Sequence, residues 1–523
     1  MREFIKNHER NIIGVLNGWD RIRFRGTLRN LAVTKLMMSW LWDRQVLLKH
    51  FRAFALELTA TLKTSIEQVA ATGGRTVRYL ASSSLSKEDL VRELIRREGI
   101  QEGLVCVLSC VEPCRSYDIH KNRETKHIEL VQRLRKCLHW YLYFLDPVLG
   151  LCHVRIQSWL PFTVHVCING REWLCRQLTD AGIAFARRDN CLVNVADIEA
   201  AQEMLDAQPW ARWTELLGGL LERSCPALTQ LPYRHGPLSY YWSADETEWA
   251  TDVMFRSPAK LAELYPPLIR YAMATFSSRE VMRFLGRTRL PEAGGVDSRF
   301  NGEVVTDLRE RPEGVRIKHR MNRNSVKMYD KQGSVLRIET TINDARDLFV
   351  YRASEGDPQG PKKLRRLRKG VVDLPRRSQI SQSANTRYLK ALAAVDATTP
   401  LGRVADKVSR PVIREGRRFR GLNPLSGDDA QLLKIMLRGE FVFNGFRNRD
   451  VRQLLFGSTT CRNEQRRQSG KVSRLLRLFR EHGLIRKVKG THRYHLTAHG
   501  QRVLPAFIAA RNASTKKLNE IAA

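Results

Sequence analysis

Residues 325–339 read SVKMYDKQGSVLRIE, and their period of two predicts two short consecutive strands. On the first, Val326 and Met328 share one face while Lys327, Tyr329 and Lys331 share the other. On the second, Leu336, Ile338 and Ile342 point one way and Arg337, Glu339 and Thr341 the other. Just upstream, GVRIKHRM (314–321) sets Val315, Ile317 and Met321 against Arg316, Lys318 and Arg320. Three strands are therefore expected to present one apolar and one cationic face. A face carrying Arg316, Lys318, Arg320, Lys327 and Arg337 beside a tyrosine and a glutamate suits a phosphodiester backbone better than a small neutral substrate.

The composition points the same way. Lys and Arg number 89 against 54 Asp and Glu, a net charge of +35 over 523 residues. Self-repulsion at that charge works against the compact state, so a polyanionic partner is expected, DNA first and RNA second. Hydrophobic residues make up 43%, enough for globular cores, and a prior of about 100 to 200 residues per domain suggests roughly three or four units. No window approaches the roughly 20 apolar residues of a membrane span, and the amino terminus lacks the apolar run of a signal peptide. A cytoplasmic protein without a membrane partner is expected. Its ten cysteines then read as reduced small hydrophobes. Cys106, Cys110 and Cys114 match no common zinc spacing.

The pattern along the chain predicts a multidomain α+β protein with a central mixed β-sheet region and helices. Residues 1–100 read as a mostly helical region, with a serine cap opening SKEDLVRELIRREGI; within it, Arg21, Arg23, Arg25 and Arg29 around Gly26 suit a phosphate-facing loop or strand. Residues 101–195 read as a β-rich α+β domain, in which DPVLG is a hairpin-like turn and 117–135 a surface loop or extended arm. Residues 196–295 read as helical. There SADETEWATD holds Asp245, Glu246, Glu248 and Asp252, either as the acidic first turn of a helix or as ligands at helical spacing for Mg²⁺ or Mn²⁺. Residues 296–355 form the strand segment quoted above, and 356–424 a basic linker with a short helix in ANTRYLKALAAV.

Residues 425–511 read as three helices, two strands and a closing helix. That order resembles the winged-helix domains of bacterial regulators and replication proteins, in which the third helix enters the major groove and the wing tip meets the backbone. The resemblance assigns Arg466, Arg467, Lys471, Ser473 and Arg474 to the groove, and Lys487, Lys489, His492 and Arg493 to the wing.

VKMYDKQGSVLRIETTINDARDLFVYR resembles a motif of rolling-circle replication initiators from small plasmids and filamentous phages. In those families a strand ending in YDK or YEK precedes an R-x-E strand and a tyrosine-bearing helix. The matching residues are Tyr329, Asp330 and Lys331, then Arg337 and Glu339, then Tyr351. The resemblance implies a metal-dependent tyrosine nickase. Tyr351 would be the nucleophile and Tyr329 the second choice, with Lys331 a phosphate contact and Glu339 a ligand of Mg²⁺ or Mn²⁺. Such enzymes commonly carry a histidine pair flanking a hydrophobic residue; this chain has none, and His153 and His165 on neighbouring strands are the nearest substitutes. The expected function is thus a DNA nickase or replication initiator of a plasmid or mobile element. The alternatives are a non-catalytic DNA-binding regulator and an RNA-binding partner of a mobile element.

Overall fold

The computed structural model describes all residues except 125, 234–235, 288–302, 312–313, 355, 358, 394–400, 439–440, 442–444, 489 and 515–523. It is a mixed α+β structure built on a large mixed sheet. Along the chain run β1 (Ile12–Leu28), β2 (Val77–Tyr79), β3 (Gly103–Lys121), β4 (Ile128–Asp146), β5 (Gly150–Gln157), β6 (Val164–Asn169) and β7 (Tyr240–Phe255). They are followed by β8 (Val304–Arg311), β9 (Gly314–Met321), β10 (Asn324–Lys331), β11 (Val335–Ile342), β12 (Phe349–Arg352) and β13 (Lys363–Arg366). The chain divides into two compact units, one of residues 13–254 and 339–382, the other of 1–12, 255–338 and 383–523.

In the unit of residues 13–254 and 339–382, the end of β11 is followed across the sheet by β7, β1, β6, β5, β4, β3 and β2. β2 runs parallel to β3, whereas β3 to β6 and the β1–β6 pair are antiparallel. Most of the first hundred residues are helical, and the segment around Gly26 that reads as a loop or strand lies in β1. Its RIRFR run alternates, so Ile22 and Phe24 are buried while Arg21, Arg23 and Arg25 are exposed, which is the period of a half-covered strand. β7 corrects the helical reading of 196–295 over Tyr240–Phe255 and puts the acidic island on a strand rather than at a helix terminus. The arm expected at 117–135 is instead the end of a long hairpin, with Tyr117 opposite Gln132 and Lys121 opposite Ile128. Consecutive buried positions at Val105–Cys110 and His139–Asp146 form the covered end of the hairpin, and toward its tip charged residues interleave with Tyr117, Ile119, Ile128 and Leu130 and mask its continuation.

Several local signals read as expected. Ser86 accepts a hydrogen bond from the Asp89 N–H at the start of Lys87–Glu98. Asp146 Oδ1 accepts from the Val148 and Leu149 N–H groups, 2.9 Å each, closing the DPVLG turn. Gly170 is required by close approach, because a Cβ there would meet the Trp19 carbonyl oxygen at 2.0 Å. That approach brings the start of α1 (Gly170–Asp180) against β1.

In the other unit, β8, β9, β10 and the beginning of β11 are neighbours in that order, with Lys318 opposite Lys327 and Arg316 opposite Tyr329. The alternation predicted for these strands leaves β10 and β11 buried along almost their whole length, so their polar positions are covered as well as their apolar ones. The short helix expected in the basic linker is part of α2 (Leu374–Leu392), a longer element.

The carboxy-terminal segment contains α3 (Gly427–Met436), α4 (Asn448–Phe456), α5 (Arg462–Glu481), a three-stranded sheet of Phe446–Arg447, Arg493–Leu496 and Ile485–Lys487, and α6 (Ala498–Asn512). Val472, Leu475, Leu476 and Phe479 of α5 are buried, the i, i+3, i+4, i+7 stripe of an amphipathic helix. They join Leu432, Val451, Leu484 and Leu504 in one core. Burying each Leu or Phe contributes about 1.5–3 kcal/mol, which fixes the face α5 turns outward.

Candidate functional site

Three carboxylates meet on adjacent strands. Asp20 of β1, Glu248 of β7 and Glu339 of β11 are all buried, and one oxygen from each lies within 4.8 Å of the others. The surrounding contacts hold them in register. Asn190 Nδ2 donates to Asp20 Oδ1 at 2.9 Å and Asn169 Nδ2 donates to Asn190 Oδ1 at 2.8 Å. Asn169 also caps α1 by accepting from the N–H groups of Arg171 and Glu172. Between β1 and β7, Thr251 Oγ1 donates to Asn17 Oδ1 at 2.7 Å, and Trp19 meets Trp249 edge-on at 4.8 Å. Arg171, fully buried, pairs with Asp252 at 2.9 Å. An all-oxygen set of this kind fits a hard divalent cation such as Mg²⁺ or Mn²⁺.

Cations line the same region. Arg21 reaches Glu248 at 3.2 Å and Glu246 at 2.9 Å, and Arg23 reaches Glu246 at 3.1 Å. Beyond Arg21 the sheet face continues as a cavity of about 470 Å³. Strand register sets opposed side chains along it, Arg23, Cys167 and His153 in one row and His165, Arg155 and Tyr141 in the next. Glu112 lies on the far wall and accepts from the Tyr141 hydroxyl at 2.8 Å, from Arg155 at 2.8 Å and from Lys87 at 3.2 Å. Burial works against its charge, but the Tyr141 hydroxyl, the Cys110 thiol and Arg155 outweigh it and bring the carboxyl down to about 2. Burial, helped by Arg155, pushes His153 down to about 3. Burial also lowers His165, against the opposing pull of Asp245. Arg155 Nη1 donates to His165 Nδ1 at 3.2 Å, and His165 Nε2 lies 3.7 Å from Asp245.

Of the residues singled out in the sequence, Glu339 enters the carboxylate set. His153 and His165 share the cavity, but among the described residues neither belongs to a set of three groups spaced to hold a metal ion. Tyr351 is 72% exposed. It stands on strand β12, opposite Leu364 of β13, and not on the helix that the motif implies: Phe349, Tyr351 and the residues facing them alternate instead of spiralling. Tyr329 and Lys331 are buried on β10, in the unit that does not hold Glu339. Lys327 and Arg337 are also buried, Arg316 and Lys318 are half-buried, and Arg320 is exposed and paired with Glu303 at 3.0 Å. Burial and the neighbouring Lys327 lower the Lys318 pKa.

On α5, Arg466, Arg467, Ser473 and Arg474 are exposed. Arg467 pairs with Glu464 and Lys471 with Asp428 at 2.7 Å. Ser473 Oγ accepts from Asn448 Nδ2 at 2.8 Å, tying α5 to the start of α4. Lys487 and His492 are exposed and Arg493 is half-buried; Lys489 lies outside the described residues.

Sequence reasoning does not bring the other two members of the carboxylate set together. Asp20 sits inside NGWDRIRFRG, whose arginines dominate the pattern, and Glu248 falls among acids at helical spacing. β1 alternates from Asp20 onward whereas β7 is buried almost throughout, and the strand order β11, β7, β1 is what places the three acids side by side. No protein-family model, curated protein or solved structure matches the chain.

Proposed function

We propose that this protein is a DNA-binding enzyme that cleaves or transfers phosphodiester bonds with a divalent metal, Mg²⁺ or Mn²⁺, held by Asp20, Glu248 and Glu339. The observation that carries the reading is the meeting of these three buried carboxylates on adjacent strands in a chain of net charge +35. A cation bound there would polarise the phosphate and make a bound water a better nucleophile. The chain's own residues supply the rest. Arg21, Arg23 and Arg25 stand on one exposed strand face beside the carboxylates and would hold the strand's phosphates. In this reading the carboxy-terminal segment is a winged helix, with Arg466 and Arg474 of α5 in the major groove, and the setting is a plasmid or mobile element.

A second reading, a tyrosine strand-transferase, is favoured by one observation: Tyr351 is exposed and belongs to the same unit as Glu339. Incubating the protein with supercoiled and single-stranded DNA in Mn²⁺ or Mg²⁺ separates the two. The metal reading expects cleavage that Glu339→Gln or Asp20→Asn lowers by about a hundredfold or more, that Tyr351→Phe leaves intact, and that yields no protein–DNA adduct. A denaturant-stable adduct mapping to Tyr351 overturns it in favour of the tyrosine reading. Salt-sensitive binding to duplex without cleavage leaves a regulator, and preference for RNA single strands leaves the RNA-binding alternative.

A further inference from the structure

We infer that the cavity beside Arg21 receives one unpaired nucleotide of the strand whose neighbouring phosphate lies at Asp20, Glu248 and Glu339, so that the substrate is single-stranded or locally opened DNA. The inference rests on the metal reading above and adds the strand preference. Arg21 joins the two places: one guanidinium touches Glu248 of the carboxylate set and Glu246 of the cavity wall. A strand whose phosphate is held by Arg21 therefore has its next base directed into the cavity.

Size and chemistry name the occupant. A volume of about 470 Å³ falls within the roughly 300–1,000 Å³ of sites that enclose a small ligand, which accommodates one nucleotide. Arg21 and Arg23 stand at one end for the phosphate, while the rings of Tyr141 and His153 line the other, and aromatic faces of this kind stack bases of any sequence. His153 is neutral, and among the described residues neither of its ring nitrogens takes a hydrogen-bond partner, although its ring lies 4.8 Å from that of Tyr143 and 5.8 Å from that of Tyr141. A neutral imidazole offers one donor and one acceptor, which suits the edge of a base. Glu112 and Arg155, by contrast, satisfy each other and form a fixed wall. Enzymes working on a single nucleotide take it out of the stack in this manner.

The test uses the full-length protein with short single-stranded DNA oligonucleotides carrying 2-aminopurine at successive positions, in Ca²⁺ to hold the complex. One position, next to the phosphate cut in Mn²⁺, is expected to change its fluorescence severalfold. Cys167→Trp, which fills the cavity, should abolish that response and slow cleavage of single strands at least about tenfold. His153→Ala, a milder change that guards against misfolding of the first variant, should weaken the same response. Asp20→Asn should keep the response and lose cleavage. A response in a protein that never cleaves retains the cavity assignment and removes the metal reading. Cleavage with no position-specific response, or at an undiminished rate in folded Cys167→Trp, removes the cavity assignment and leaves the metal reading standing.

Discussion

The Nε of Arg21 lies 3.2 Å from Oε2 of Glu248, so a member of the carboxylate set has a counter-charge within the protein itself. The set therefore does not need a cation in order to fold, and metal binding is expected as an added stabilisation. At a metal concentration of about a hundred times Kd, one site adds about 2.7 kcal/mol, a rise of a few degrees in Tm. Thermal unfolding with and without Mn²⁺ should show this rise in the wild type and not in Glu339→Gln, which should still melt cooperatively without metal. An equal rise in both would remove Glu339 as a ligand.

Asp252→Ala should be among the most destabilising single changes. It leaves the fully buried Arg171 guanidinium without its carboxylate, and breaking a buried pair from one side costs about 3–5 kcal/mol. Denaturant unfolding measures that loss. Because the pair sits close to the contacts that align β1 with β7, cleavage should fall in the same variant even at temperatures where it remains folded.

The Glu112 carboxyl titrates near 2 in the folded protein, below its ordinary value of 4.5. A lowered carboxylate stabilises the fold above its unfolded pKa, and that contribution disappears as the pH falls from about 4.5 towards about 2. After discounting for partial solvent screening it amounts to about 1–2 kcal/mol. Comparing acid unfolding of wild type and Glu112→Gln should show the two stability curves converging across that interval and separated above it.

Arg466 and Arg474 are exposed on the outer side of α5. Replacing both with alanine should weaken duplex binding and flatten its dependence on salt, by about one in logarithmic slope for each phosphate no longer neutralised. Binding titrations at several salt concentrations check this. Lys471→Ala should do less, because its ammonium is already 2.7 Å from Asp428. An unchanged slope in the double variant would remove α5 as the duplex-binding element.

The strands β9 to β11 and the helices of the carboxy-terminal segment were legible in the sequence because a two-residue or a 3.6-residue period runs unbroken through each. Glu339 was legible for the same reason, standing on a polar position of an alternating strand. The covering of that polar face was not, because local alternation says which residues share a side and nothing about what lies over it. Asp20 and Glu248 were obscured by different means. In β1 the arginines around Gly26 read as a phosphate-facing loop or strand in which Asp20 has no evident part, and in β7 four carboxylates in ten residues look like a helix start. Their meeting with Glu339 depends on strand order, β11 beside β7 beside β1, a non-local pairing that no window of sequence contains.

The unit that holds the three carboxylates is interrupted in the chain, leaving after residue 254 and resuming at 339. Asp20 is made first and Glu339 more than three hundred residues later, so the carboxylate set is a contact of high sequence separation, the kind that slows folding. During synthesis the cationic strand is present long before the last acid arrives. On the proposed reading, a nascent or prematurely ended chain would carry charge to a nucleic acid while lacking the third ligand. On that reading the interruption would order events in time, because the carboxylate set is complete only in a chain read past Glu339.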